Sequence, residues 1–274
     1  MFYFLLFLGK ITIVQWKDSD FYNKIIDGIK SEIKVEYELI NLNGDKENGL
    51  KIIKNLNSDA ILTIGEIPLM LCVQLDIKKP VVFSGVYNPE RILKEENKNI
   101  TGVSLNVEYS EQFELIENAL PFVKKIFIPY SDTSYINNLK WKDWKIILQK
   151  VNKKEEINDV LQNAKDCDLI MIIPDPLIIS QDVLSSILIF GIKNKKPVFA
   201  PSEKIVKSGA LFGISSDYYN NGKIAAEIMN KVIKDKELPK IMKMKEFKTY
   251  INMETLNNIE IKMNESVIKN AEKY

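Results

Sequence analysis

The chain has 274 residues, of which 46% are hydrophobic and 27% are charged, and its net charge is +1. This balance is typical of soluble globular proteins, and it argues against nucleic-acid binding because no basic excess is present to neutralise a phosphate backbone. The chain contains no histidine, which removes the usual general base at neutral pH and most zinc sites. The length suits one large or two medium α/β domains.

The chain begins with an apolar run, MFYFLLFLG, at residues 1–9. The run matches the apolar part of an export signal, but no Lys or Arg precedes it and no small-residue cleavage site follows. It is too short to span a bilayer. We interpret residues 1–9 as the remnant of an export signal; the alternative is an apolar strand or arm packed on the domain.

Strands and helices alternate along the rest of the chain. The predicted strands are continuous apolar runs such as AILTI and LIMII, which are typical of parallel strands buried on both faces. Helices are predicted after Ser19, over the apolar segment 177–192, and after Asp217, where Ser19 and Asp217 are suited to cap them. Strands that alternate with helices indicate βαβ units.

Three segments of the chain recur in the same order, a little over a hundred residues apart. ITIVQWKDSDFYNKI resembles IFIPYSDTSYINNL, DAILTIGE resembles DLIMIIPD, and KKPVVFSG resembles KKPVFAPS. Three matches in register indicate an internal repeat of one supersecondary arrangement. The predicted fold is therefore α/β, with two similar Rossmann-like lobes, each built on a parallel sheet.

The lobes are expected to share more than one connection. Lobe one is predicted to comprise residues 10–107 and about 209–250, and lobe two residues 108–208. Residues 251–274 are predicted to form a strand and a helix that close across the lobes. Several crossovers of this kind make a hinge with a ligand cleft between the lobes.

The polar loops that follow the repeated strands are the candidate binding residues, because open parallel sheets bind ligands beyond the carboxyl ends of their strands. Lobe one contributes Trp16, Glu66, Ser84, Val86, Tyr87 and Asn88, and lobe two contributes Ser131, Thr133, Ser134, Asp175, Ser202 and Glu203.

The residue types in these loops suit a zwitterion such as an amino acid. The hydroxyl groups of residues 131–134 can bind a carboxylate; alternatively, they do no more than cap their own helix. Asp175 or Glu66 can hold an ammonium group; alternatively, Asp175 caps the following helix and Glu66 complements a helix dipole. Trp16 and Tyr87 can stack on a ligand or pack at an edge.

Other recognisable sites are absent from the sequence. It has no GxGxxG and no Walker A motif, and its potential metal ligands show no recognisable spacing, so no cofactor or metal is expected. Cys72 and Cys167 lie in apolar segments and are interpreted as small buried hydrophobic residues.

Long stretches of the chain resemble the ABC-transporter substrate-binding protein family that includes tryptophan- and tyrosine-binding members. The resemblance is carried by PVVFSGVYNP, NITGVSLNV, KKIFIPYS and PVFAPSEKIVKSGALFGISSDYYNNGKIAAEIMNKVI, and it extends to YINMETLNNIEIKMNESVIKNA. It implies a type-I periplasmic-binding-protein fold and delivery of a small ligand to a membrane permease. The family's ligand loops fall on residues 84–88, 131–134, 175 and 202–203.

The sequence thus predicts a periplasmic or extracellular solute-binding protein of an ABC importer, monomeric and not an enzyme, whose ligand is an amino acid, with an aromatic one as an option. The alternative is a ligand-sensing module for a receptor or regulator. A third and weaker interpretation is an enzyme that uses Glu66 and Asp175 as facing carboxylates.

Overall fold

The computed structural model describes residues 9–136 and 139–274. Most of the run interpreted as an export-signal remnant, residues 1–8, therefore lies outside the described residues. The strands are β1 Ile11–Gln15, β2 Tyr37–Asn41, β3 Ala60–Ile64, β4 Val81–Val86, β5 Ile100–Ser104, β6 Lys125–Tyr130, β7 Lys145–Lys150, β8 Leu169–Met171, β9 Val198–Ala200, β10 Phe212–Ser216, β11 Met242–Lys243, β12 Phe247–Ile251 and β13 Glu272–Lys273.

Helices follow most of these strands. The α-helices are α1 Asp20–Glu32, α2 Lys46–Lys54, α3 Glu66–Gln74, α4 Tyr109–Ala119, α5 Ile157–Gln162, α6 Gln181–Lys193, α7 Glu203–Lys207, α8 Tyr218–Asp235, α9 Met253–Ile259 and α10 Glu265–Asn270. Short 3₁₀ turns occur at Pro89–Arg91, Thr133–Tyr135 and Lys154–Glu156.

The chain divides into two compact units. Unit 1 contains the chain up to Asn106 and Ser216–Glu246, and unit 2 contains Val107–Ser215 and Phe247–Tyr274. The chain therefore passes between the units three times, after Asn106, Ser215 and Glu246. Each unit is an α/β structure built on one sheet, as the alternation of apolar strands and helices predicted.

Unit 1 is built on a sheet with the strand order β11-β5-β4-β3-β1-β2, and the recorded strand pairs in it are parallel. Strands β1, β3, β4 and β5 are buried along their whole length, which explains their unbroken apolar sequences. One face of the sheet packs against α2 and α3 through residues such as Phe83, Ile53 and Leu69.

Helices α1 and α8 pack closely against each other in unit 1. A side chain at Gly28 would meet the carbonyl oxygen of Tyr219 at 2.0 Å, and one at Gly222 would meet the carbonyl oxygen of Ile25 at 2.0 Å. Each helix therefore uses a glycine to admit the backbone of the other. Ser19 caps α1 and Asp217 caps α8, both as predicted, by accepting a hydrogen bond from a backbone N–H of the first turn.

Unit 2 has the strand order β13-β12-β10-β9-β8-β6-β7. Helices cover both faces of this sheet: α4 and α9 pack on one face through Phe113 and Leu256, and α5, α6 and α7 pack on the other through Leu161, Ile187 and Val206. The repeated segments occupy equivalent places in the two units, because β1, β3 and β4 hold the same positions in one sheet as β6, β8 and β9 in the other.

Three expected boundaries differ from the structure. The expectation that residues from about 209 to 250 belong to lobe one is wrong at both ends: β10 and β12 are strands of the unit 2 sheet, whereas α8 and β11 lie in unit 1. The segment 251–274, expected to close across the lobes, clusters with unit 2. The helix predicted from residue 177 begins at Gln181, because Asp175 first holds a turn over residues 177 and 178.

Candidate functional site

In each sheet, the direction in which the chain adds successive strands reverses at one place. The order β2-β1-β3-β4-β5 in unit 1 reverses between β1 and β3, and the equivalent order in unit 2 reverses between β6 and β8. At such a switch point the loops leave the sheet in opposite directions and create a crevice at the carboxyl ends of the strands. The loops after β1, β3, β6 and β8 are therefore the best-placed binding segments.

The switch point of unit 1 brings Trp16 and Glu66 to adjacent loops. The last residues of β1 and β3, Gln15 and Ile64, are register partners, so the residues that follow them lie side by side at the edge of the sheet. Trp16 is half-buried and packs against the apolar core beneath α2 and α3. Gln15 holds the loop after β1 by donating from Nε2 to the carbonyl oxygen of Lys17 at 2.8 Å.

Glu66 opens helix α3, and its carboxylate retains substantial exposure. Its side chain is 37% exposed and lies 3.8 Å from a guanidinium nitrogen of Arg91. Tyr22 also reaches this loop: a side-chain atom at Gly65, whose φ is +97°, would lie 2.6 Å from the Tyr22 hydroxyl. Burial, together with the nearby negative charge of Glu66, raises the pKa of Tyr22 above its usual value. Tyr22 and Arg91 are neighbours of the candidate carboxylate that the sequence did not single out.

The end of β4 forms a sharp bend over residues 84–88, which we call the β4 bend. Gly85 has φ of +71° and Asn88 has φ of +46°, and the pairing of β4 with β5 shifts register between Phe83 and Val86. Tyr87 and Asn88 emerge from the bend half-buried. Tyr87 and Asn88 therefore remain candidates for ligand contact.

Two residues of the β4 bend do not have the side-chain role expected of ligand contacts. Ser84 is fully buried, and its hydroxyl donates to Oδ1 of Asn221 at 2.7 Å. Val86 is fully buried in the core of unit 1. Both residues lie within β4, which is buried along its whole length, so their side chains face the interior of unit 1. We correct the expectation for both side chains.

Asp175, proposed from the sequence as a partner for an ammonium group, is fully buried and surrounded by donors. It accepts hydrogen bonds from the backbone and hydroxyl of Ser131, at 2.6 and 2.7 Å, and from the backbone N–H of Asp132 at 3.2 Å. It also accepts from the backbone N–H groups of Leu177 and Ile178. The carboxylate joins the loops after β6 and β8 and holds the turn over residues 177 and 178, but it does not cap α6, whose N-cap is Ser180.

The loop after β6 retains some accessible hydroxyl groups. The Ser131 hydroxyl is engaged by Asp175, but Thr133 is exposed and Ser134 is half-buried. Asp132 orders the 3₁₀ turn at Thr133–Tyr135 by accepting a hydrogen bond from the backbone N–H of Ser134 at 2.8 Å. Thr133 and Ser134 therefore remain candidates for hydrogen bonding to a ligand.

The Glu203 carboxylate is already bound by other side chains of unit 2, which makes it a weaker candidate for a ligand contact. Its Oε1 atom accepts from Lys207 at 2.6 Å and from the hydroxyl of Tyr274 at 2.9 Å, and its side chain is only 17% exposed. Lys207 lies 4.3 Å from the centre of the Tyr274 ring. Ser202, the preceding residue, is half-buried and stays a candidate.

No group of three potential metal ligands occurs within residues 9–136 and 139–274. Over the same ranges, no helix has the length and apolar character needed to cross a bilayer. The accessible candidate side chains that the structure leaves at the carboxyl ends of the strands are Trp16, Glu66, Tyr87 and Asn88 in unit 1 and Thr133, Ser134 and Ser202 in unit 2.

Comparison with known proteins identifies related chains. The sequence model of the ABC transporter substrate binding protein family matches residues 21–274. A tyrosine-binding protein of Clostridioides difficile (strain R20291) is 25% identical over 206 residues, which cover 69% of this chain and 56% of that protein. The match thus spans little more than half of the relative's length.

Solved structures share the fold. A substrate-binding protein with adhesive properties from Clostridium difficile, solved without ligand, has a TM-score of 0.80 and 17% identity, with 97% of this chain and 99% of that chain covered. An ABC domain from Streptococcus pneumoniae, solved in complex with L-Trp, has a TM-score of 0.73 and 22% identity, with 96% and 99% covered. These likenesses concern the fold of the whole chain.

Proposed function

Since the chain belongs to the ABC transporter substrate-binding protein family, we propose that it binds a free amino acid, preferably an aromatic one, and delivers it to the permease of an ABC importer. The family consists of binding proteins. An importer of this kind takes its ligand from outside the cytoplasm, so the proposed location is periplasmic or extracellular, and the proposed working form is a monomer.

The observation that carries the proposal is the chemistry at the unit 1 switch point. There, an indole ring and a partly exposed carboxylate lie on adjacent loops, at Trp16 and Glu66. A carboxylate suits an ammonium group, and an indole face suits an aromatic or apolar side chain. An aromatic amino acid carries both of these groups.

The relatives support the aromatic preference. One is described as a tyrosine-binding protein, and a structural neighbour was solved with L-Trp. A thermal-shift panel of the standard amino acids tests this preference. Free ligand at a hundred times its Kd stabilises a folded protein by about 2.7 kcal/mol, so a true ligand raises Tm by several degrees. Tyrosine and tryptophan are expected to give the largest shifts, and a panel without any shift contradicts the proposal.

Glu66→Gln is expected to weaken binding of the identified amino acid at least about tenfold, because the substitution removes the negative charge that faces the ammonium group. The matched control is Glu203→Gln. Glu203 also opens a helix after a parallel strand, but Lys207 and Tyr274 already engage its carboxylate. The control should leave the calorimetric Kd within about twofold of the wild-type value. Equal losses in the two variants would show that Glu66 has no special role.

A further inference from the structure

The β4 bend is held in place by two asparagine side chains from distant parts of unit 1. The first is Asn221 of α8, which is fully buried. Its Oδ1 atom accepts hydrogen bonds from the Ser84 hydroxyl at 2.7 Å and from the Gly85 backbone N–H at 3.0 Å. Its Nδ2 group donates to the carbonyl oxygen of Ser104 at 3.4 Å. One amide thus joins α8 to the ends of β4 and β5.

The second side chain, Asn106, fixes the other end of the bend. Its Oδ1 atom accepts from the backbone N–H of Asn88 at 2.8 Å, and its Nδ2 group donates to the side-chain oxygen of Asn88 at 2.6 Å. These two hydrogen bonds hold Asn88 in its left-handed conformation. That conformation raises the free energy of any residue other than glycine, so it persists only where the surroundings stabilise it. Ser104 supports Asn106 in turn, because its hydroxyl accepts from the Asn106 backbone N–H at 3.1 Å.

Both asparagines lie beside points where the chain passes between the units. Asn106 is the last residue before the first passage, and Asn221 lies in the first turns of α8, shortly after the second passage at Ser215. The two connecting segments are also tied together within unit 1, because the Ser216 hydroxyl donates to the carbonyl oxygen of Leu105 at 2.8 Å. The β4 bend is therefore bonded to both segments at once.

We propose that Asn221 and Asn106 are positioning residues that set the geometry of the β4 bend and thereby the ligand contacts of Tyr87 and Asn88. This inference rests on the proposed function, because it assigns Tyr87 and Asn88 to the binding of the amino acid. Asn221 does not touch the ligand. Its buried amide selects one conformation of the bend, and losing it leaves the Gly85 N–H and the Ser84 hydroxyl without their acceptor.

A purely structural role for Asn221 would be to fasten α8 to the rest of unit 1, and the same helix offers a control for that role. Asn230 accepts from the backbone N–H of Lys34 at 2.9 Å and donates to the carbonyl oxygen of Glu32 at 2.9 Å. It thus anchors α8 to the end of α1 with two hydrogen bonds, but it makes no bond to the β4 bend. Asn230→Ala should lower Tm without changing ligand affinity.

The test measures Kd, Tm and hydrogen exchange of a peptide covering the β4 bend in Asn221→Ala, Asn106→Ala and Asn230→Ala. We expect the first two variants to raise Kd for the amino acid at least about tenfold and to speed exchange at the bend, because an unanchored bend samples other conformations. Asn230→Ala should show neither effect. Asn106 is only half-buried, so its variant keeps the test decisive if Asn221→Ala fails to fold.

Unchanged affinity and unchanged exchange at the bend in folded Asn221→Ala or Asn106→Ala would overturn the inference, and so would an equal loss of affinity in Asn230→Ala. A wild-type protein that binds no amino acid contradicts the proposed function instead. In that case hydrogen exchange at the bend still decides whether the two asparagines fix its conformation.

Discussion

Replacement of Gly222 by alanine is expected to destabilise unit 1 by about 3 kcal/mol, measured as the free energy of unfolding in urea. The added methyl group would lie 2.0 Å from the carbonyl oxygen of Ile25 and 3.0 Å from the backbone nitrogen of Ile29. These are backbone atoms of a packed helix, so relief requires α1 and α8 to separate. The better helix propensity of alanine, about 1 kcal/mol, offsets only part of this cost.

Gly49→Ala in α2 is the matched control for this prediction. There, the nearest atoms to an added methyl group are the terminal carbons of Leu71 and Leu42, at 2.9 and 3.0 Å. The ends of leucine side chains can shift at small cost, so this variant should change stability by less than about 1 kcal/mol. A Gly222 variant as stable as the Gly49 variant would show that close packing of α1 on α8 does not limit the stability of unit 1.

Asp175→Asn is expected to cost unit 2 about 3 kcal/mol of unfolding free energy. The substitution converts one of two acceptor oxygens into a donor. That donor would then face the N–H groups of Ser131 and Asp132 or those of Leu177 and Ile178. Because the site is fully buried, water cannot replace the lost acceptor.

Asp182→Asn controls for the loss of a negative charge in the same unit. Asp182 is 77% exposed and lies 3.4 Å from the ammonium group of Lys154, so its replacement should change stability by less than about 0.5 kcal/mol. Equal stability of the Asp175 and Asp182 variants would contradict the role of Asp175 as the carboxylate that joins the loops after β6 and β8.

Hydrophobic patterning predicted the fold class but could not assign every strand to a sheet. Continuous apolar runs identified the buried parallel strands, and the three repeated segments identified equivalent places in two sheets. The assignment of the run at 209–215 to lobe one is wrong because an apolar strand has the same sequence pattern in either sheet. Its partner, β9, is fixed by tertiary pairing that local sequence does not encode.

The sequence predicted candidate loops, but it could not predict which of their side chains are buried or already hydrogen-bonded. A carboxylate that precedes a helix, such as Asp175, has the same sequence pattern whether it caps the helix or binds a ligand. Ser84 and Val86 are buried because they lie within β4, which is covered on both faces, and the sequence pattern does not show that the strand continues through Ser84 and Gly85. Asn221 gave no local signal, since its partner Ser84 lies 137 residues away in the chain.

Isothermal titration of the protein with L-tyrosine and L-tryptophan tests most directly the claim that this chain is an amino-acid receptor. The same titration is made with tyramine, which lacks the carboxylate, and with 3-(4-hydroxyphenyl)propionate, which lacks the ammonium group. We expect saturable binding of at least one amino acid and binding of both analogues weaker by about a hundredfold or more, because each analogue leaves one charged or polar partner unmatched. Absence of heat with both amino acids, or analogues that bind as tightly as the amino acids do, would contradict the account.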